Sequence, residues 1–176
     1  MSRTTVRAQI TAWLAPGGNP SVVEFCSDVI AHPPKVTAED RFDLGSHGGS
    51  GGLIFVFIPQ QSETRIALGG PHDGRKMRLY SVELLCIFRS VKTAEELGTD
   101  LDVFLDSLVE RIQADRNLGT APTADVTAGM IFKAGEGEYP GGTDIEVATM
   151  LPRTTRAGMT EATCSVKLAV LEVLAT

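Results

Sequence analysis

The stretch TAEELGTDLDVFLDSLVERIQADRNL, residues 93–118, decides how the rest of the chain is read. Leu97, Leu101, Phe104, Leu105, Leu108 and Ile112 recur at helical spacing and form one apolar stripe. Thr93-Ala94-Glu95-Glu96 has the form of a capping box: a hydroxyl at the N-cap and a carboxylate three residues later satisfy two backbone donors that the first turn leaves open. Gly119 supplies the residue with which many helices end. At 1.5 Å per residue the helix predicted over 93–118 runs for about 39 Å, enough to cross a sheet.

Upstream, a strand is predicted from about Lys76 to Val91. Tyr80, Val82, Leu84, Cys86 and Phe88 alternate onto one face, and Leu79, Leu85 and Ile87 onto the other. Apolar residues on both faces indicate a central strand covered on both sides at least in part. Before it, Leu53–Pro59 and Glu63–Leu68 read as two strands joined tightly through Gln60-Gln61-Ser62, with a turn at Gly69–Gly74 after them. Ser21–Ile30 is rich in β-branched residues and reads as a strand that His32-Pro33-Pro34 ends. Arg3–Leu14 reads as a short helix with Val6, Ile10 and either Trp13 or Leu14 on one face, stopped by Pro16-Gly17-Gly18. Glycine-rich segments at 37–52 and 135–143 read as extended loops, poorly fixed in an isolated subunit. Downstream strands are expected at Val126–Lys133, Asp144–Leu151 and Thr163–Leu174. The order α-β-β-β-β-α-β-β-β predicts one α+β domain over 1–176: a largely antiparallel sheet, one long amphipathic helix packed on it, and a short N-terminal helix.

The chain has 176 residues, with 16 basic against 22 acidic side chains, a formal charge of −6. That sign opposes a nucleic-acid binder working by broad phosphate contact. Cys26, Cys86 and Cys164 are far apart and form no C-x-x-C pair, so neither a disulfide framework nor a cysteine zinc site is supported. The most apolar short run, Leu53–Ile58, falls far below the roughly 20 residues a spanning helix needs. No apolar signal region follows Met1–Arg7, and the expectation is a soluble intracellular protein.

No residue pattern in the chain carries recognisable chemistry. His32, His47 and His72 each sit beside Pro or Gly without a second ligand at metal spacing. There is no G-x-S-x-G, and Ser46 and Ser50 lie in the glycine tract, where nothing would hold a nucleophile against its base. The three cysteines fall in strand-like runs that favour buried, inert thiols. Gly69 to Gly74 matches the first spacing of a phosphate loop, but Arg75 and Lys76 stand where Lys and Ser/Thr are needed, and a strand follows instead of a helix. Asp100, Asp102, Asp106, Glu110 and Asp115 read as a solvated helix face. No catalytic, cofactor-binding or metal-binding residue is therefore nominated. Charge distribution is more informative: residues 63–92 hold six bases and three acids, net +3, whereas 93–118 hold two bases and seven acids, net −5. These segments either pair within one subunit or join one subunit to the next. Arg65, Arg75, Lys76 and Arg78, with Asp102 and Asp106, are the candidate interface residues.

The stretch Arg65-Ile66-Ala67-Leu68-Gly69-Gly70-Pro71-His72-Asp73-Gly74-Arg75-Lys76, the strand Arg78-Leu79-Tyr80-Ser81-Val82-Glu83-Leu84, the segment Phe88-Arg89-Ser90 and the helix end Leu108–Gly119 resemble the tail terminator, or tail completion, proteins of long-tailed actinobacterial phages. The order of elements agrees along most of the chain. The resemblance implies a structural protein without an active site: a six-fold ring that caps the tail tube, stops its polymerisation and offers the surface that joins the head. Its implied partners are further copies of itself, the major tail tube protein and head-completion or neck proteins. DNA is implied only as cargo passing through the channel, no membrane is involved, and the protein would end in the virion after assembly in the host cytoplasm. A tail-tube or head-completion subunit is the neighbouring reading. A small cytoplasmic protein holding an anion at the Gly69–Lys76 turn is the reading from a different class.

Overall fold

The computed structural model describes residues 3–16, 23–36, 42–43, 50–67, 75–114, 145–150, 153–154 and 158–175. Helix α1 spans Arg3–Leu14; strands β1 to β5 span Cys26–Ile30, Lys35–Val36, Phe42–Asp43, Gly51–Ala67 and Arg75–Ser90. Helix α2 spans Ala94–Ala114, and β6, β7 and β8 span Glu146–Thr149, Arg153–Thr154 and Thr160–Ala175. Among the described residues the fold is α+β, with two helices and a mixed sheet. Five strands follow one another in the order β1-β4-β5-β8-β6, and β7 also pairs with β8. β1 runs parallel to β4, while the other pairs in this sheet are antiparallel. β2 and β3 form a separate two-stranded antiparallel ladder.

β4 corrects the reading of its segment. It is one 17-residue strand, not two strands with a turn at Gln60-Gln61-Ser62. Gln60, Gln61 and Ser62 sit opposite Ser81, Tyr80 and Leu79 of β5, in register. What interrupts the ladder is a bulge between Phe57 and Gln60. Pro59 lies inside it, and proline, having no N–H to donate, is tolerated in a strand at such a place. The Ile58 carbonyl at this bulge accepts a hydrogen bond from the Arg3 guanidinium, which ties α1 to the irregular rung. The polar run does not turn the chain; residues 60–64 are exposed, and polar side chains suit a strand lying in water.

The glycine tract is also partly strand. Gly51 and Gly52 open β4 opposite Arg89 and Phe88, and Phe42–Asp43 form β3, so the loop expected over 37–52 is too long at both places. A Cβ on Gly52 would stand 2.5 Å from the Phe104 ring, so its hydrogen is what lets the ring lie against the strand. The expected strand at Val126–Lys133 and loop at 135–143 lie outside the described residues.

Alternation then sets two faces. Ile54, Val56 and Ile58 of β4, Tyr80, Val82, Leu84, Cys86 and Phe88 of β5, and Ala162, Cys164, Val166, Leu168 and Val170 of β8 belong to one buried cluster. The same cluster takes in Val6, Ile10, Trp13 and Leu14 of α1 and Leu97, Leu101, Phe104, Leu105, Leu108 and Ile112 of α2. The Phe104 and Phe88 rings lie 5.5 Å apart at 50°. On the opposite face Leu53, Phe55 and Ile87 are buried together, with Ile30 and Leu85 beside them. β5 and β8 keep an uninterrupted register from Arg75 opposite Ala175 to Ser90 opposite Thr160.

The described part of α2 ends at Ala114, about 31 Å of helix, and its capping box is formed. The Glu96 N–H donates to Thr93 Oγ1 at 3.4 Å, and the Thr93 N–H donates to Glu96 Oε2 at 3.1 Å. The backbone and hydroxyl of Thr93 hold the Glu96 carboxyl below its usual range. The ionised form is the one the folded state favours, so this support is present above about pH 4.5 and fades as acid protonates Glu96. Thr93→Ala is therefore expected to cost about 1 kcal/mol near neutral pH. Urea titrations at descending pH should show the gap between variant and wild type narrowing below pH 4.5.

Candidate subunit interface

The hairpin of β4 and β5 gathers the basic candidates. Arg65 sits opposite Lys76 and Ala67 opposite Arg75, so Arg65, Arg75 and Lys76 fall on neighbouring rungs at one end of the sheet. Arg78 differs: its Nε donates to Glu63 Oε2 at 2.6 Å, which raises its pKa further above the usual arginine value.

Two more bases of the positive segment also have partners within the chain. Arg89 Nη2 lies 2.5 Å from Glu161 Oε2, with the Glu161 side chain only 2% exposed. Lys92 Nζ donates to Asp100 at 2.7 Å, and this carboxylate holds the ammonium above its usual range. For Arg78, Arg89 and Lys92 the charges are thus met inside the subunit.

The acidic candidates stand differently. Helical rotation of 100° per residue puts Asp102, Asp106 and Glu110 on one side of α2, away from the buried stripe, and all three are exposed. None of them has an ion-pair partner among the described residues. Phe104, in the same turn, lies over Phe88 and Gly52, while Lys76 is twelve residues further along β5. At 3.3 Å per residue that is about 40 Å. The acidic row and the basic hairpin end therefore cannot neutralise each other within one chain.

Phe25, which no motif singles out, stands beside the acidic row. It follows Val23-Glu24 in a turn closed by the Cys26 N–H donating to the Val23 carbonyl at 3.2 Å. Its φ is 58°, in the left-handed region that turns of this kind normally assign to Gly or Asn. The side chain is 50% exposed, with its ring edge-on to Phe88 at 6.3 Å. The Glu24 N–H donates to Ser107 Oγ at 3.0 Å, which fixes the turn against α2. One helical turn before Ser107 lies Val103, itself 37% exposed. No sequence pattern marks a left-handed phenylalanine.

The remaining candidate chemistry is quiet. Cys86 and Cys164 are cross-strand partners, both buried and both free thiols. A hydrogen bond with Cys164, together with complete burial, pushes the Cys86 thiol well up, and burial pushes Cys26 up to about 11. Neither is a ready nucleophile near neutral pH. His32 is exposed, with Nδ1 3.1 Å from the Pro33 carbonyl. His47, His72 and the Gly69–Gly74 turn lie outside the described residues. Among the described residues no three His, Cys, Asp or Glu side chains cluster as metal ligands, and no helix is long and apolar enough to cross a membrane. No protein-family model matches the chain, and no curated protein matches it.

Proposed function

We propose that this chain is a phage virion structural protein of the tail-terminator type, which forms a ring that caps the tail tube, stops its growth and offers the surface that joins the head. The resemblance motivates the reading. The observation that carries it is the pair of unlike patches: an exposed acidic row on α2, without an ion-pair partner among the described residues, and a basic hairpin end about 40 Å away along β5. A ring closes through heterologous contacts, in which one patch meets a different patch on the neighbour, and that geometry is what these two patches supply. In this reading the largely antiparallel sheet, with the long amphipathic α2 packed on it, is the rigid spacer between them. Its partners are copies of itself, the tail tube protein and head-completion proteins. Acidic groups left facing the channel repel DNA as it passes.

Exposed ion pairs contribute about 0–1 kcal/mol each, so they select the neighbour and set register while apolar contact supplies most of the affinity. Ring formation should weaken modestly at high salt, without vanishing. Arg75→Glu with Lys76→Glu is expected to impair assembly, and Asp102→Lys with Asp106→Lys in the same chain to restore part of it, as read by light scattering after gel filtration. Arg78 is left unchanged in this test because its reversal would set a carboxylate against Glu63. A double reversal that rescues nothing in folded protein sinks the pairing. Negative-stain microscopy separates the neighbouring reading, since a terminator stays as single rings and a tube subunit grows into long tubes.

A further inference from the structure

We infer that Phe25 is the aromatic anchor of this self-contact: with Val103 it forms the apolar centre on which the basic hairpin end of a second copy docks. The inference rests on the ring reading and names the residue that supplies its affinity. Two costs meet at Phe25. A bulky residue at positive φ carries backbone strain that glycine would avoid, and half of a large apolar ring faces water. Glycine at this position would relieve both, and within one chain phenylalanine has in return only half of its surface buried and the edge-on contact with Phe88. The ring is also held in place: edge-on to Phe88 on one side, with its turn fastened to Ser107 and its carbonyl accepting the Gly52 N–H at 2.9 Å. A pre-positioned aromatic loses little entropy on binding, which is the property of residues that dominate interfaces.

The surroundings specify the occupant. Val103, one helical turn before Ser107, is also exposed, and on the far side of it from Ser107 come Glu110, Asp106 and Asp102, none of them paired among the described residues. An apolar centre with a one-sided acidic rim fits a partner that brings apolar atoms and positive charge together. The end of the β4/β5 ladder, with Arg65, Arg75 and Lys76 on neighbouring rungs, brings the positive charge on residues whose long hydrocarbon stems are themselves apolar, and within one chain it lies too far away to reach. A second copy brings it.

Phe25→Gly is expected to leave the melting temperature of the dissociated subunit unchanged or raised, while weakening self-association about 30-fold in sedimentation velocity. Phe25→Tyr keeps a flat ring and should assemble close to wild type. A photoreactive amino acid at position 25 should cross-link, in the assembled protein, to peptides from residues 63–78 of a neighbouring copy. Unchanged assembly of Phe25→Gly overturns the anchor, and so does cross-linking to a different segment. In either case the ring reading stands if Arg75→Glu with Lys76→Glu still blocks assembly. A wild-type chain that stays monomeric at every concentration overturns both. If Phe25→Gly lowers the melting temperature, Phe25→Asn, which also accepts a left-handed backbone, decides by the same association criterion.

Discussion

Phe104→Ala is expected to cost about 3–5 kcal/mol of folding stability, visible as a large drop in the denaturant midpoint. The ring is fully buried, lies 5.5 Å from Phe88, and fills the space that Gly52 leaves over β4. Its removal takes away both transfer free energy and the packing of a close-fitting site that cannot collapse without moving a helix against a sheet. The effect should couple to Gly52. Gly52→Ala alone adds a Cβ 2.5 Å from the ring and should cost about 1–3 kcal/mol by overpacking. In the Phe104→Ala background the same change should be nearly free or stabilising, because the cavity receives the methyl. Strict additivity of the two would mean that ring and strand do not touch.

Trp13→Ala is the second large effect, also about 3–5 kcal/mol, measured by circular dichroism because Trp13 is the sole tryptophan. The indole is 5% exposed and carries the Arg111 guanidinium 4.9 Å from its ring centroid. Arg111 is itself 2% exposed, and its Nη2 donates to the Trp13 carbonyl at 3.2 Å near the end of α1. Nη1 has no hydrogen-bond partner, and no carboxylate pairs with Arg111 among the described residues. The aromatic face and one helix-terminal carbonyl thus do the work that an ion pair does elsewhere, a cation–π contact being stronger once desolvated. Losing the indole leaves a buried cation with less to face, so Arg111→Met should be much less damaging in the Trp13→Ala background than in the wild type. Trp13→Phe, which keeps an aromatic face, should recover much of the stability. Equal cost for Arg111→Met in both backgrounds would remove the coupling.

The helical stripe of α2, its capping box and the α1 face were legible because each is periodic or local. Six apolar positions at 3.6-residue spacing admit one face, and Thr93 with Glu96 satisfies donors within a single turn. The alternation of β5 was legible for the same reason. β4 was not, because Gln60-Gln61-Ser62 interrupts its apolar run. Polar residues also suit a strand standing in water, and only pairing with Ser81, Tyr80 and Leu79 distinguishes the two. Gly51 and Gly52 looked like loop for a similar reason. Gly52 is small because of the Phe104 ring, more than fifty residues away, and no local pattern carries that information.

At the candidate interface the sequence could locate charge but not assign it. The excess of bases over 63–92 and of acids over 93–118 is a property of composition, readable without a fold. Which charges answer each other depends on register and distance. Glu63 reaches Arg78 because β4 and β5 pair there, and Glu161 reaches Arg89 because β8 lies alongside β5. Asp102 and Asp106 have no ion-pair partner among the described residues, and Phe104 between them lies over Phe88, about 40 Å along β5 from Lys76. The sequence by itself determined the helices, the central strand and the sign of each segment, since these follow from side-chain type and short-range spacing. Strand continuity at β4, the left-handed Phe25 and the separation of the two charged patches were decided only by tertiary structure, because each depends on residues brought together from distant parts of the chain.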